Sequence, residues 1–190
     1  MDSAAKGLTV DGARTADSRS SLHFPDIYTL GVAWWPLRDK EHEWKLETDV
    51  DYVRWSTIDK IEYAFSDGVT LSTPQSWGNA FTTGTGTEYT WLGLSRMPAW
   101  DIALRGGYNF SMTPVPDINF SPAFSDSDVH TLSTGAGMTR HSGSKFIGFD
   151  FAYQLLLFVP RTVSGNPNPA VDGKYNTINQ AITLSSRIGF

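Results

Sequence analysis

The chain has 190 residues, a net charge of −5, 18 % charged residues, 13 % aromatics and no cysteine. An acidic balance without a Lys/Arg cluster excludes a nucleic-acid partner, and zero cysteines exclude a disulfide scaffold and any thiolate-bound metal. No run approaches the roughly 20 apolar residues of a spanning helix.

Residues 1–24, "MDSAAKGLTVDGARTADSRSSLHF", lack the basic start and apolar centre of a secretory signal. Read as a full-length product, the chain would have no route out of the cytoplasm. From residue 27 onward period-2 patterns recur and helix-period patterns are nearly absent. The first run is Ile27–Trp35. The second, Trp44–Ser66, changes phase: Trp44, Leu46, Val50 and Tyr52 are even-numbered, whereas Ile61, Tyr63 and Phe65 are odd. One residue is inserted near Trp55-Ser56-Thr57, either as a β-bulge in one tall strand or as a turn between two strands. Further runs are Asn79–Trp91, Ala99–Ser111, His130–Thr139, Phe146–Val159 and a last one ending at Phe190. In Ala99–Ser111, Trp100, Ile102, Leu104, Gly106, Tyr108 and Phe110 share one face, and Asp101, Arg105 and Asn109 the other. In the last run Ile178, Ile182, Leu184, Ile188 and Phe190 oppose Asn179, Thr183, Ser185 and Arg187.

With 44–66 taken as one strand, the connections alternate strictly between short (36–43, 92–98, 140–145) and long (67–78, 112–129, 160–176). That alternation favours the bulge and seven strands, with every long loop on one side. Short turns on one rim and long loops on the other are the plan of an antiparallel outer-membrane β-barrel. Trp34, Trp35 and Trp44 flank the first short turn; Tyr89, Trp91 and Trp100 flank the second. Amphipathic rings belong at a membrane interface, so Trp34, Trp44, Tyr89, Trp91, Trp100 and Phe190 are expected there.

Lys45, Glu47, Asp49, Asp51, Glu88, Asp101, Arg105, Asp150 and Arg187 all lie opposite the apolar stripe. Burying that many charges in a dry core is costly, whereas a wet lumen lets them stay hydrated or pair across strands. Asp150 with Arg187, and Arg105 with Glu88 or Asp101, are the expected pairs. Along 151–159, Phe151, Tyr153, Leu155 and Leu157 are expected to face lipid, with Leu156 and Phe158 lining the upper lumen. The motif Thr113-Pro114-Val115-Pro116-Asp117 stops its strand, because proline removes a ladder donor and fixes its dihedral.

Catalytic and metal chemistry find little support. Asp126, Asp128 and His130 lack a base–nucleophile arrangement, and His23, His42, His130 and His141 lack metal-ligand spacing. No enzyme activity, catalytic residue, cofactor or metal is expected.

Four segments carry a family likeness: "FPDIYTLGVAWWP" (24–36), "WKLETDVDYVRWSTID" (44–59), "MPAWDIALRGGYNFSMTPVPD" (97–117) and "DSDVHTLSTGAGM" (126–138). They resemble the FadL/TodX family of outer-membrane transporters for long-chain fatty acids and aromatic hydrocarbons, over residues 22–190. The resemblance implies a fourteen-stranded barrel with an N-terminal hatch, of which 25–190 would be the C-terminal seven strands and 1–24 part of a leading extracellular loop. It also implies an outer-membrane location in a Gram-negative bacterium, contact with outer-membrane lipid, and an N-terminal barrel half as the missing partner, supplied upstream or replaced by a second copy. Ligand capture in an apolar groove among the extracellular loops, with sideways exit into the bilayer, is implied as well. The expected capture surface is 112–129 with 160–176, and the lumen lining Glu47, Asp49, Asp51, Glu88, Asp101, Arg105, Asp150 and Arg187. A basic residue that some relatives place in the loop after the tall strand has no counterpart in "SDGVTLSTPQSWGNA" (66–80), which leaves a neutral hydrocarbon ligand open. The alternative is a β-sheet protein that binds an apolar ligand without transporting it.

Overall fold

A computed structural model describes residues 2–5, 17–21, 23–124 and 126–190, with side chains omitted at 2–5 and 124. Its centre is one antiparallel sheet of seven long strands: β3 (Ile27–Arg38), β4 (His42–Val53), β7 (Ala80–Trp91), β8 (Trp100–Ser111), β9 (Val129–Ser142), β10 (Lys145–Phe158) and β13 (Ile178–Gly189). Each pairs with its neighbour along the chain, in the order β13-β10-β9-β8-β7-β4-β3, and the barrel is not closed. Strands of 12 to 14 residues exceed the usual five or six of soluble sheets. Tilted strands of this length suit a bilayer crossing.

The alternation read from the sequence survives in the register. Leu104 lies opposite Tyr89 and Ala136, while Arg105 lies opposite Glu88 and Gly135. Phe151, Tyr153, Leu155 and Leu157 share the apolar face with Leu184 and Ile182, and Leu156 and Phe158 take the other face with Thr131 and Val129. No second layer covers the apolar stripe among the described residues. Leu30 is 76 % exposed, Ile182 70 % and Leu184 78 %. Among the described residues the few buried apolar ones (Ile58, Ala80, Ala103, Phe120 and Val163) form no continuous core. An uncovered apolar band of this extent needs a non-aqueous neighbour.

The apolar face also carries threonines. The Thr83, Thr85 and Thr87 hydroxyls donate to the backbone carbonyls of Asp49, Glu47 and Lys45 on β4 at 3.1, 3.2 and 3.3 Å, and Thr134 does the same to Arg105. Each hydroxyl is therefore satisfied within the sheet, and a methyl is left to face outward. That is how a polar residue type occupies an apolar stripe.

The phase slip in 44–66 is a turn between two strands, which corrects the expectation of one tall bulged strand. β4 ends at Val53, a 3-10 turn spans Trp55–Thr57, and β5 (Lys60–Phe65) leaves the main sheet. It joins β1 (Asp2–Ala5), β2 (Ser18–Ser21) and β6 (Thr70–Pro74) in a smaller sheet of order β1-β2-β5-β6, and β11 (Arg161–Val163) pairs with β12 (Gly173–Tyr175) in the last long connection. Because β5 and β6 form a hairpin within one connection, the main sheet still has seven strands and the short/long alternation holds. Of the leading segment 1–24, residues 2–5 and 18–21 form β1 and β2, and residues 1, 6–16 and 22 lie outside the described residues.

A bulge does occur elsewhere. Trp34 pairs with Leu46 and Leu37 with Trp44, so β3 spends one extra residue around Trp35-Pro36, where proline offers no ladder N–H. The turns are locally encoded. Asp39 accepts the Glu41 and His42 backbone N–H groups at 2.8 and 2.7 Å, and those two bonds hold its carboxyl below the usual range. Gly143 turns the β9–β10 hairpin at a φ of 63°, a left-handed conformation that glycine adopts without penalty.

The two faces make opposite demands on a new charge. Leu184→Lys should lower the unfolding free energy in lipid vesicles by about 2–4 kcal/mol, whereas Thr183→Lys on the other face should change it by less than about 1 kcal/mol. Denaturant titration of the lipid-reconstituted protein separates the two; equal costs would contradict the face assignment.

Candidate functional site

The polar face of the main sheet is a trough of about 610 Å³ lined by Lys45, Glu47, Asp49, Glu88, Arg105, Asn109, Asp150 and Gln154, among others. Its charges form a belt across the strands. Arg105 on β8 is ion-paired to Glu88 on β7 and, at 2.7 Å, to Asp150 on β10. Asp150 in turn accepts Arg187 on β13 at 2.9 Å. Lys45 is ion-paired to Glu47 on its own strand. Asp51 accepts the Thr29 hydroxyl at 2.5 Å.

Arg105 must cross β9 to reach Asp150, and β9 is stripped there to let it pass. A Cβ on Gly137 would collide with Asp150 Oδ1 and stand 2.9 Å from Arg105 Nη1. Gly137 is therefore a doorway for the guanidinium, and the belt depends on a residue with no charge of its own.

The structure brings together the expected pairs Asp150–Arg187 and Arg105–Glu88. Of the two acids considered for Arg105, Glu88 is the one it meets. Asp101 sits four residues nearer the short turns, where it meets His141 Nε2 at 2.7 Å and accepts the Gly93 N–H at 2.9 Å. Glu47, Asp49, Asp51, Glu88, Asp101, Arg105, Asp150 and Arg187 share one face, as their spacing requires.

A second cavity, of about 780 Å³, lies among the long connections, lined by Trp55, Ile61, Gln75, Trp77, Pro114, Val115, Asn119, Ser121 and Asp126. Trp55 and Trp77 meet edge to face, 5.3 Å between centroids. Its walls are the connections 54–79 and 112–128. Of the capture surface expected at 112–129 with 160–176, the first stretch lines this cavity, and the second packs against the first through Arg161 and Tyr175. There Arg161 donates to Asp117 Oδ1 through Nε and Nη2, to the Asp126 carbonyl at 2.8 Å and to the Val115 carbonyl at 2.7 Å. Its guanidinium lies 4.9 Å from the centroid of Phe120, which packs on Tyr175 at 4.6 Å.

The motif Thr113-Pro114-Val115-Pro116-Asp117 follows β8 directly and is fixed at several points. The Thr113 N–H donates to Asp128 at 2.8 Å, the Gly78 N–H donates to the Pro114 carbonyl at 2.8 Å, and Asp117 takes Arg161. Asp128 is thus a structural acceptor. His130 lies tilted against Phe110 with ring centroids 4.9 Å apart and contacts the Tyr108 hydroxyl at 2.7 Å. Among the described residues no group of acids and histidines is arranged to hold a metal.

Comparison with known proteins places this geometry. The family profile described as outer membrane protein transport protein (OMPP1/FadL/TodX) matches residues 1–190. The chain belongs to this family. The match takes in the leading segment that the motif resemblance, from 22 onward, left out. A solved structure described as that of a Pseudomonas aeruginosa FadL homologue superposes with a TM-score of 0.70 at 20 % identity, over 90 % of this chain and 37 % of that one. The chain therefore spans about a third of that protein's length. No curated protein sequence matches.

Trp34, Trp44, Tyr89, Trp91 and Trp100 all lie toward the short-turn ends of their strands, as does the 93 % exposed Phe190. Trp44 donates its indole N–H to Thr87 at 2.8 Å, and Tyr89 packs on Trp91 at 4.8 Å. Trp35, on the polar side of the bulge, lies near Arg38 and Lys45 instead. A second aromatic row, missed from the sequence, runs along the long-loop ends: Tyr28, Tyr52, Phe81, Phe110 and Tyr108 with His130. From Trp100 to Phe110 the strand rises roughly 33 Å, or about 25 Å along the normal at ordinary tilt, which is the height of a barrel's apolar band.

Arg105→Ala should lower the unfolding free energy by about 2 kcal/mol and the temperature at which the folded band disappears on unheated gels. Gly137→Val, which removes no charge, should produce a loss of the same size by blocking the crossing. An unchanged Gly137→Val protein would show that the Arg105–Asp150 contact contributes nothing.

Proposed function

We propose that this chain forms part of an outer-membrane channel for the uptake of hydrophobic molecules, with the loop cavity as the capture site and the polar trough as lumen wall. The observation that carries the reading is the cavity between 54–79 and 112–128: an apolar space edged by Trp55, Trp77, Ile61, Pro114 and Val115 at one end of a membrane-spanning sheet. The long connections that wall it would be extracellular, and the two rows of aromatics would mark the two interfaces. Residues 25–190 act as one barrel part, with strands β1 and β2 of the leading segment joined to β5 and β6 on the outer side.

The nominated lumen residues Glu47, Asp49, Asp51, Glu88, Asp101, Arg105, Asp150 and Arg187 give a wall on which an apolar molecule gains nothing, because displacing water from paired charges costs free energy. Capture therefore occurs above the wall, and release sideways into the bilayer avoids it. Outer strands β3 and β13 are hydrogen-bonded on one side only in this sheet, so we assign them to pairing with further barrel strands, since lipid tolerates no open edge. Fatty acids and aromatic hydrocarbons are both candidates as ligands at this level. The chemistry needed is burial of apolar surface, with no bond made or broken.

Removing both indoles, Trp55→Ala with Trp77→Ala, should reduce uptake of a hydrophobic tracer by about tenfold, the equivalent of one lost aromatic contact of about 1.4 kcal/mol. Uptake into cells carrying the variant, corrected for the amount of folded protein in the outer membrane, measures it. Wild-type uptake in the double variant would contradict the reading.

A further inference from the structure

We infer that the lipid-facing side of the β9–β10 turn binds the phosphate of an anionic glycerophospholipid, held between Arg140 and Lys145. This site is separate from the capture cavity. Its leaflet rests on the reading above, which turns the short connections toward the periplasm, where the membrane leaflet is built of glycerophospholipid. The register places the two cations together. Arg140 on β9 lies opposite Ile147 on β10, and Lys145 stands two residues nearer the turn, opposite Ser142. Positions so related are diagonal neighbours on one face, about 7–8 Å apart, and both residues are exposed. Side chains as long as Arg and Lys can close on one phosphate from that spacing while their stems stay on the apolar face.

Both cations stand on a face otherwise given to hydrocarbon. Along β8, β9, β10 and β13 the lipid-facing positions hold no acid and no other Lys or Arg. Asp101, Arg105, Asp150 and Arg187 of these strands all lie on the opposite face. Among the described residues neither Arg140 nor Lys145 takes part in an ion pair. The two therefore repel each other, and a shared anion reverses the sign of the interaction. Their depth fits a headgroup. Arg140 lies directly opposite Trp100, and interfacial indoles sit at headgroup level. At the far end of the same strands the lipid-facing residues are Phe110, His130 and Leu157, so on these strands the fixed positive charge is confined to one rim.

The neighbouring side chains extend the site into the bilayer. Met138, two residues below Arg140, lies opposite both Ile102 and Phe149, and an acyl chain descending from the phosphate would cover these three. Headgroup choice follows from the charges. A zwitterionic lipid brings its own ammonium to a site that already holds two cations, and no acid on that face of these strands receives it. Phosphatidylglycerol or cardiolipin carries the phosphate without an ammonium, and basic clusters at a membrane rim hold such headgroups. Arg38, in the first short connection, is ion-paired to Glu43 at 3.0 Å and is occupied in that way.

Tryptophan quenching in phosphatidylcholine vesicles doped with brominated phosphatidylglycerol or brominated phosphatidylethanolamine reads the preference. At low salt phosphatidylglycerol should bind at least about fivefold more tightly than phosphatidylethanolamine, and raised salt should narrow the gap. Arg140→Gln with Lys145→Gln should bring the two lipids to within about twofold of each other. Arg96→Gln, in the neighbouring turn, should leave the preference unchanged, and so should the charge-keeping Arg140→Lys. Should the double variant fold poorly, Lys145→Gln alone should still lower the preference. Equal binding of the two lipids by the wild type, or a preference that survives loss of both cations, would overturn the site. Displacement of the lipid by millimolar glycerol phosphate would make the ligand a soluble phosphate and overturn it too, as would a preference for lipid A over phosphatidylglycerol. Ser144→Cys, in the same turn, should resist an impermeant maleimide in intact cells. Labelling there would overturn the orientation, and with it the inner-leaflet assignment, whatever the vesicles show.

Discussion

Hydrocarbon offers no hydrogen bonds, so every backbone N–H and C=O that enters a bilayer must find its partner within the protein. That constraint explains why the chain runs as neighbour-to-neighbour antiparallel strands with nothing layered on them. Once the ladder is fixed, each strand has only two faces to assign. One face is given to lipid and one to water, and the residue types follow at period two. The threonines of β7 show how far the rule extends. Their hydroxyls are returned to the β4 carbonyls, so that even a polar side chain meets the apolar side with a methyl.

The water-facing side solves a different problem. Charges on a concave wall that is only partly hydrated are stable when they are paired, and here the pairing runs across strands. Glu88, Arg105, Asp150 and Arg187 tie together β7, β8, β10 and β13, while Gly137 on β9 stays clear of the path. Such cross-strand ties hold the wall's curvature and register without an apolar core to do so. They also make the wall inhospitable to an apolar molecule. The cavity edged by tryptophan, isoleucine and proline lies instead among the long connections.

Much of this architecture was legible from the residues, because a period of two is an unambiguous signal when sustained over 12 to 14 positions. The face assignments of Leu104 and Arg105, or of Tyr153 and Leu156, needed no coordinates. The slip at Trp55-Ser56-Thr57 was not resolvable in the same way. A bulge and a turn both shift parity by one, and the hairpin β5–β6 returns to the same rim, so loop alternation fits either. The real bulge at Trp35-Pro36 was hidden in two adjacent tryptophans, each apolar whichever face it takes. Partners two strands away, such as Arg105 with Asp150, depend on what the intervening strand leaves open, and Gly137 carries no charge pattern to announce it. The contribution of 54–79 to the cavity was not legible for a similar reason, since Trp55 and Trp77 lie far apart in sequence and meet only through the turn after β4.

The central claim is that alternate residues of each long strand touch lipid and water. Nitroxide labels placed singly at positions 100 to 111 of the protein in lipid vesicles test it most directly, with collision rates measured against oxygen and a water-soluble nickel chelate. The account predicts a period of two, with oxygen dominating at 102, 104, 106 and 108 and the chelate at 101, 103, 105 and 107. Chelate access at both parities, or oxygen access without period, would contradict it.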